Sequence, residues 1–336
     1  MTESSPTAAL LPAGAATGQG PLPGTDIAEA VRTIAGELPV LPYLPELADR
    51  GVGADTVGRT LALLVDIHAE VVPSGWRICG RPGRDASRGT DFRAWDTDAA
   101  EQHLGAAPAI KLQLLGPWTL AARLELPNGH RAVSDHGATA DLAASLGQGL
   151  RDYLDEFSSR LPTTTMVLQI DEPDLNLVLG GMLPTPSGYG TVRSVSIDTV
   201  QRGLTSFAAG IADNPLAISG VAPGSLWETL RGAGFRKLGC QLADLTGEST
   251  AVDAIGEAVE ASAHLLVQLS AAGSLDTLGR RLFAGWRRIG FPPETLPQSV
   301  IPVAGPAPSD PTELAGVLAI ARQLATALAD PPESWS

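Results

Sequence analysis

Cysteine is nearly absent: Cys79 and Cys240 are the two thiols in 336 residues. So small and so widely spaced a pair makes neither a disulfide scaffold nor a metal knuckle, and redox chemistry is not expected. Lysine is as scarce, with Lys111 and Lys237 beside 21 arginines. Basic residues number 23 against 37 acidic, leaving a net charge of -14. A partner bound through nucleic-acid phosphates would require the opposite sign. No run approaches the 18 or so apolar residues of a membrane-spanning helix, and stretches such as 61–65 are far shorter. No Lys or Arg precedes Arg32, so the charged start of a secretory signal is missing. Pro6, Pro12, Pro21 and Pro23, with several glycines, instead predict a flexible tail over residues 1–24 of a cytoplasmic protein. What the chain does have is 44% hydrophobic residues with only 18% charged ones, the balance of a folded protein and the reverse of a disordered one.

Beyond the tail, apolar or β-branched runs alternate with amphipathic stretches of helix length. The first helix is expected from Asp26 to about Gly36, with Ile27, Ala30, Val31 and Ile34 recurring at helix spacing behind a Thr-Asp start that caps free amides. Strands are expected at 40–41, 76–79, 110–115, 166–170, 216–219, 237–240, 265–269 and 300–303. Helices are expected at 54–69, 97–104, 119–126, 139–159, 200–211, 226–232, 250–261, 276–289 and 311–329. Repeated strand-then-helix order favours a parallel sheet, because each crossover needs a helix to return the chain. Eight such units suggest an α/β protein built as one closed (β/α)8 TIM barrel over residues 25–330. The first two strands carry the weakest pattern, since Pro39, Pro42 and Pro45 interrupt it. The alternative, an open doubly wound sheet, lacks a Gly-rich phosphate turn after any early strand.

The segment MVLQIDEPDLNLVLGG delivers adjacent carboxylates, Asp171 and Glu172, at the end of an apolar strand. In a barrel that end opens onto the catalytic face, where a carboxylate binds an amine, orients a ligand or moves a proton. Equally, Asp171 would serve as cap to a helix begun by Pro173. In AIKLQLLGPWTLAARLELP, Trp118 stands just after a strand, placed either for a ligand ring to stack on or for packing. The stretch GWRICGRPGRDASRGTDFR holds Arg77, Arg81, Arg84, Arg88 and Arg93; Gly80, Pro82, Gly83 and Gly89 argue against a continuous helix. An arginine-rich loop of this kind holds carboxylates or a phosphate, or else is solvated beside Asp85 and Asp91. His68, His103, His130, His136 and His264 include no pair at helical ligand spacing, and the HRAVSDH loop is the one place where a metal would be sought.

Taken in order, LPGTDIAEAVRTIAGELPVLPYLPEL, KLQLLGPWTLAARLELP, LQIDEP and TPSGYG resemble the C-terminal catalytic barrel of the cobalamin-independent methionine synthase family, in an actinobacterial branch. The resemblance runs from about residue 20 to the C-terminus. It implies a (β/α)8 barrel related to uroporphyrinogen decarboxylase. It also implies methyl transfer from methyltetrahydrofolate to homocysteine, activated as thiolate by zinc. By position, Asp171 matches the family's acidic residue that holds the amino-acid substrate, and Glu172 and Trp118 fall beside the same cleft.

The family's zinc ligands are missing. Its His-x-Cys pair falls on Ser219 and Val221 in ISGVAP, and its late cysteine on Ala304. Cys240 and Asp244 lie near where a glutamate ligand is expected, with Cys240 more suited to be a nucleophile or acceptor than a ligand. A free thiol has a pKa near 8.5, and zinc coordination is what ionises it at neutral pH. No cofactor is therefore predicted. The sequence points to a methionine-synthase-like protein that takes a small amino acid or a folate-like ligand, with no nucleic-acid or membrane partner. Two other readings stand beside it: a non-catalytic ligand-binding or regulatory paralogue, and a metal-free decarboxylase of the related barrel group that uses the arginine-rich loop.

Overall fold

The computed structural model describes residues 14–211, 214–270 and 273–335. Its strands are β1 (His68–Val72), β2 (Gly75–Cys79), β3 (Ala109–Leu115), β4 (Leu124–Glu125), β5 (Thr165–Asp171), β6 (Leu216–Ser219), β7 (Lys237–Gln241), β8 (His264–Gln268) and β9 (Val300–Val303). The helices used below are α1 (Ile27–Glu37), α2 (Thr56–Leu61), α3 (Arg84–Leu104), α4 (Pro117–Arg123), α5 (His136–Arg160), α6 (Leu175–Gly180) and α7 (Ile197–Ala209). Six strands form one parallel sheet in the order β3-β5-β6-β7-β8-β9, each reached through helical crossovers. Burial on both faces accounts for their near-continuous apolar text, as in β3, where all seven residues are buried.

The sheet is curled, and two irregular segments run between its edges. From β9, Thr17 N donates to Pro302 O at 3.0 Å and Ala304 N to Thr17 O at 2.7 Å. From β3, Lys111 N donates to Pro42 O at 2.8 Å and Leu44 N to Lys111 O at 3.1 Å. The two segments bond to one another through Leu22 N to Glu46 O and Glu46 N to Gly20 O, both at 2.9 Å. Neither is a regular strand, because Pro21, Pro23, Pro39, Pro42 and Pro45 have no N–H to give a ladder. The strand expected at 40–41 is thus absent, and pairing falls at Tyr43 instead. Residues 15–22, assigned from sequence to a flexible tail, are largely buried, with Thr17 fully enclosed. The two segments touch so closely at Gly18 that a Cβ there would fall 2.2 Å from the Tyr43 ring. Residues 1–13 lie outside the described residues.

Residues 76–79 do form a strand, but not in the parallel sheet. β2 pairs antiparallel with β1 and parallel with β4, making a separate three-stranded sheet. The helix expected over 54–69 accordingly shrinks to α2, and the chain then enters β1. Conversely, α3 runs unbroken through Gly89, where glycine was expected to interrupt it. Its missing side chain lets α3 meet α2, for a Cβ at Gly89 would stand 3.2 Å from Ala62 Cβ and 3.3 Å from Gly58 O. Among the described residues no helix is long and apolar enough to cross a membrane.

Helix α5 approaches the backbone below α2 even more tightly. A Cβ on Gly149 would lie 1.5 Å from the carbonyl oxygen of Leu63, a backbone atom that cannot swing aside. Gly149→Ala is therefore expected to destabilise the fold by about 3 kcal/mol or more. The urea midpoint measures this; a loss below about 1 kcal/mol would contradict the packing described.

Candidate functional site

Along β5 the period of two places Val167, Gln169 and Asp171 on one face. Gln169 joins two charges there. Its Nε2 donates to Asp171 Oδ1 at 2.8 Å, and its Oε1 accepts from Lys111 Nζ at 2.9 Å. Lys111, fully buried on β3, also donates to Gln19 O at 3.4 Å and lies 5.6 Å from the centre of the Tyr43 ring. Burial pushes the Asp171 carboxyl up from its ordinary value, against the pull of Lys111 and the Gln169 hydrogen bond. Burial pushes the Lys111 ammonium down, against the pull of Asp171 and Glu46. Glu46 is itself buried and accepts from the Thr56 hydroxyl at 2.5 Å. A carboxylate driven toward neutrality in this way exchanges a proton or pairs with a cation near physiological pH.

Asp171 opens into a cavity of about 550 Å³ at the carboxyl ends of the strands. Leu115, Asp171, Ser219, Gln241, Gln268 and Val303 line it from successive strand ends, and Gln19 and Pro21 from the irregular segment. This is the face on which barrels of alternating strands and helices carry ligands. Arg123 stands at the rim, its Nε 2.7 Å from Asp174 Oδ2. Gln241 donates through Nε2 to Gln268 Oε1, and its backbone N–H goes to Asp244 Oδ2 at 2.7 Å. The glutamines, Lys111, Glu46 and Arg123 did not stand out as site residues in the sequence. For Lys111 and Gln169 the signal was the polar residue recurring every second place in apolar strands, as in KLQLL and LQID, which marks an inward polar row; Glu46, in an irregular segment, and Arg123, on α4, carry no such signal.

Ser219, Val221, Cys240 and Asp244 also line the cavity. Burial, reinforced by the charge of Asp244, pushes the Cys240 thiol far above its ordinary value. The thiol keeps its proton at neutral pH, so the nucleophile or acceptor role expected of Cys240 has no support in its surroundings.

The other two expected ligand contacts do not face the cavity. Glu172 is fully enclosed, and its carboxylate accepts from Trp118 N at 3.0 Å and Thr119 N at 2.7 Å. It satisfies the first free amides of α4, where a negative charge also suits the helix dipole. Gly116 makes room for it, since a Cβ there would meet Glu172 Oε1 at 2.2 Å. Burial nevertheless pushes the Glu172 pKa up to about 7. Trp118, 5% exposed, packs outside the sheet against α7. Asp171 caps no helix, because α6 begins only at Leu175 behind Asp174.

The arginine-rich segment is no loop but β2, a short link and α3. Arg77 pairs with Glu125 at 2.7 Å and Arg93 with Glu156 at 3.0 Å. Asp85 accepts from the backbone N–H of Val71 at 3.2 Å. None of Arg77, Arg81, Arg84, Arg88 and Arg93 lines the cavity.

No protein-family model matches the chain, and no curated protein matches it in sequence. Solved structures do. The fold is similar to that of a B12-independent methionine synthase from Shewanella sp. W3-18-1 in complex with selenomethionine. That similarity has a TM-score of 0.55 at 11% identity and spans 95% of this chain and 97% of the other. Weaker likenesses are to a β-N-acetylglucosaminidase of glycoside hydrolase family 20, with TM-score 0.46, 13% identity and 93% and 70% coverage. A methylaspartate ammonia lyase variant from Clostridium tetanomorphum follows, with TM-score 0.45, 12% identity and 94% and 60% coverage. What is shared at such identity is the mixed α/β fold with its curled parallel sheet.

The residues at hand do not fit the zinc ion of the methionine synthase family. Val221 and Ala304, onto which the resemblance places two of its ligands, have no side-chain donor atom, and Ala304 is 1% exposed with its backbone bonded to Thr17 and Gln19. Among the described residues no three of His, Cys, Asp and Glu come together closely enough to share a metal. Zinc sites need three or four such ligands.

Proposed function

We propose that this protein is a methionine-synthase-like barrel that binds an amino acid, with the ligand ammonium on Asp171, and does so without zinc activation of a thiol. The two irregular segments are its first two staves, which makes the architecture a (β/α)8 barrel with an imperfect start. The observation that carries the reading is the Asp171–Gln169–Lys111 chain, which holds one of the cavity's two carboxyl groups, the other being Asp244, at the strand ends. A buried carboxylate in that position favours a small cation with hydrogen-bonding substituents. The ring of glutamines suits the polar remainder of such a ligand, and Arg123 at the rim suits a carboxylate.

A binding or regulatory role is favoured over methyl transfer. Homocysteine bound beside Ser219 and Val221 would stay a thiol at neutral pH, and the nearest protein sulfur, Cys240, is held protonated as well. A metal-free decarboxylase of an anionic substrate is not favoured, because the arginines that would hold such a substrate lie elsewhere.

The test is calorimetry of the full chain with L-methionine, L-homocysteine and methyltetrahydrofolate in turn, alongside zinc analysis and a methyl-transfer assay. One of the amino acids is expected to bind with one-to-one stoichiometry, and no methionine is expected to form with or without added zinc. Failure of both amino acids to bind would end the binding proposal. Methyl transfer with stoichiometric zinc would end the metal-free one.

A further inference from the structure

Both lysines of the sequence are buried in the curled sheet, yet only one of them is met by other groups. Lys111 has Gln169, the Gln19 carbonyl and the charges of Asp171 and Glu46 around it. Lys237, at the start of β7, has none of these. The register fixes where it points. Asp171 pairs with Ser219 and both line the cavity, so Ala217, two residues before Ser219, faces inward as well. Ala217 pairs with Lys237, and Lys237 with His264. Further along the same face, a Cβ on Gly239 would meet Ser219 Oγ at 2.8 Å, and Gln241, Leu266 and Gln268 line the cavity. Lys237 and His264 thus stand side by side on the inner face at the amino ends of their strands. The cavity opens at the other end, and neither residue lines it.

Lys237 is only 2% exposed, and among the described residues its Nζ makes no hydrogen bond or ion pair. Burial pushes its ammonium down to about 8, with no carboxylate acting against that shift. His264 is half-buried, and burial followed by the charge of Lys237 holds its imidazole below the ordinary value. Its Nδ1 is enclosed without a partner, so the ring proton belongs on Nε2, where no donor is orphaned. Nε2 and Lys237 Nζ are not sealed in that way. Buried ammonium groups are ordinarily paired, because an unpaired one is costly. Here two neighbouring donors, one of them a cation, have no acceptor for either.

We propose that Lys237 and His264 form a binding site for a small inorganic anion, the size of phosphate or smaller, at the amino ends of β7 and β8. The ammonium supplies the charge, and the imidazole Nε2–H gives a second, directional hydrogen bond. The site is separate from Asp171 and does not rest on the reading given to that residue. A net charge of -14 disfavours anions over the surface as a whole, which makes local retention of one a specific effect.

The probe is sodium phosphate, added to the full chain at about pH 6.5 and constant ionic strength in a bulky sulfonate buffer, with sodium chloride in a parallel titration. The readout is the ring resonance that disappears in His264→Gln. Millimolar phosphate or chloride is expected to move it saturably and to raise the urea midpoint in step. A response to one anion and not the other would fix the size of the site. Lys237→Met keeps the length of the side chain without its charge, and is expected to weaken the binding by about tenfold or more. In the absence of the anion this variant should be no less stable than the parent, since it removes an unpaired buried charge. A packing role alone for Lys237 predicts no anion dependence in either protein. The proposal is overturned if neither anion moves the parent resonance saturably, or if the shift persists undiminished in folded Lys237→Met.

Discussion

Asp171→Asn is expected to weaken amino-acid binding by about 30- to 700-fold, corresponding to about 2–4 kcal/mol for removing one member of a buried charge pair. The substitution keeps the shape of the side chain and its place beside Gln169, whose Nε2 still finds an oxygen. What disappears is the negative charge facing the cavity. The pH dependence gives a second, independent readout. Burial raises the Asp171 pKa to about 7, so the carboxyl binds its proton more tightly in the folded protein than in a free peptide. Affinity for an ammonium group should therefore be full above about pH 7 and fall as the pH drops below it, approaching about tenfold per unit. In Asp171→Asn that decline should vanish. Calorimetry at pH 5.5, 6.5 and 7.5 on both proteins measures it, and an unchanged affinity in the folded variant would show that the ligand amine goes elsewhere.

Asp96→Ala should produce the largest loss of stability, about 3–5 kcal/mol. Asp96 is fully buried on α3, and two guanidinium groups converge on it. Arg50 makes a bidentate pair, Nη1 to Oδ1 at 2.6 Å and Nη2 to Oδ2 at 3.1 Å, while Arg59 of α2 bonds to Oδ2. Arg50 also sits 4.7 Å from the centre of the Phe92 ring. The side chains of Arg50 and Arg59 are only 6% and 15% exposed, so truncating Asp96 leaves two positive charges enclosed without their counter-ion. The consequence reaches the candidate site, because Arg50 follows directly on the segment containing Tyr43 and Glu46, and α2 carries Thr56, the donor to Glu46. Urea denaturation gives the loss as a shift of midpoint at unchanged slope. A shift equivalent to less than about 1 kcal/mol would mean that the arginines find other partners at little cost.

Much of the parallel sheet was legible because each strand is a short apolar run bounded by turn residues. The strands expected at 216–219 and 300–303 coincide with β6 and β9, and the helix expected at 226–232 was found with those bounds. Proline-rich segments were illegible for a physical reason. Residues 15–22 and 39–46 pair through a few isolated backbone bonds whose partners, at Pro302, Lys111 and each other, are distant in sequence. No local periodicity records such pairing. Gly89 misled in the opposite sense: its helix cost is real, but the gain from close contact with α2 is visible only once α2 is in place.

The same division runs through the site. The adjacent carboxylates of IDEP were evident, yet Asp171 and Glu172 necessarily point to opposite sides of an extended chain. One therefore meets the cavity and the other the start of α4.

The sequence by itself determined the alternation of strand and helix and the acidic residue at the end of β5. Those are properties of composition and of local order along the chain. Only the tertiary structure decided that Lys111 and Gln169 stand behind Asp171, that Glu172 is spent on a helix end, and that Trp118 packs outside the sheet against α7. These depend on which side chains share a low-dielectric enclosure, and residues some 50 or more positions apart come to share one only when the sheet curls.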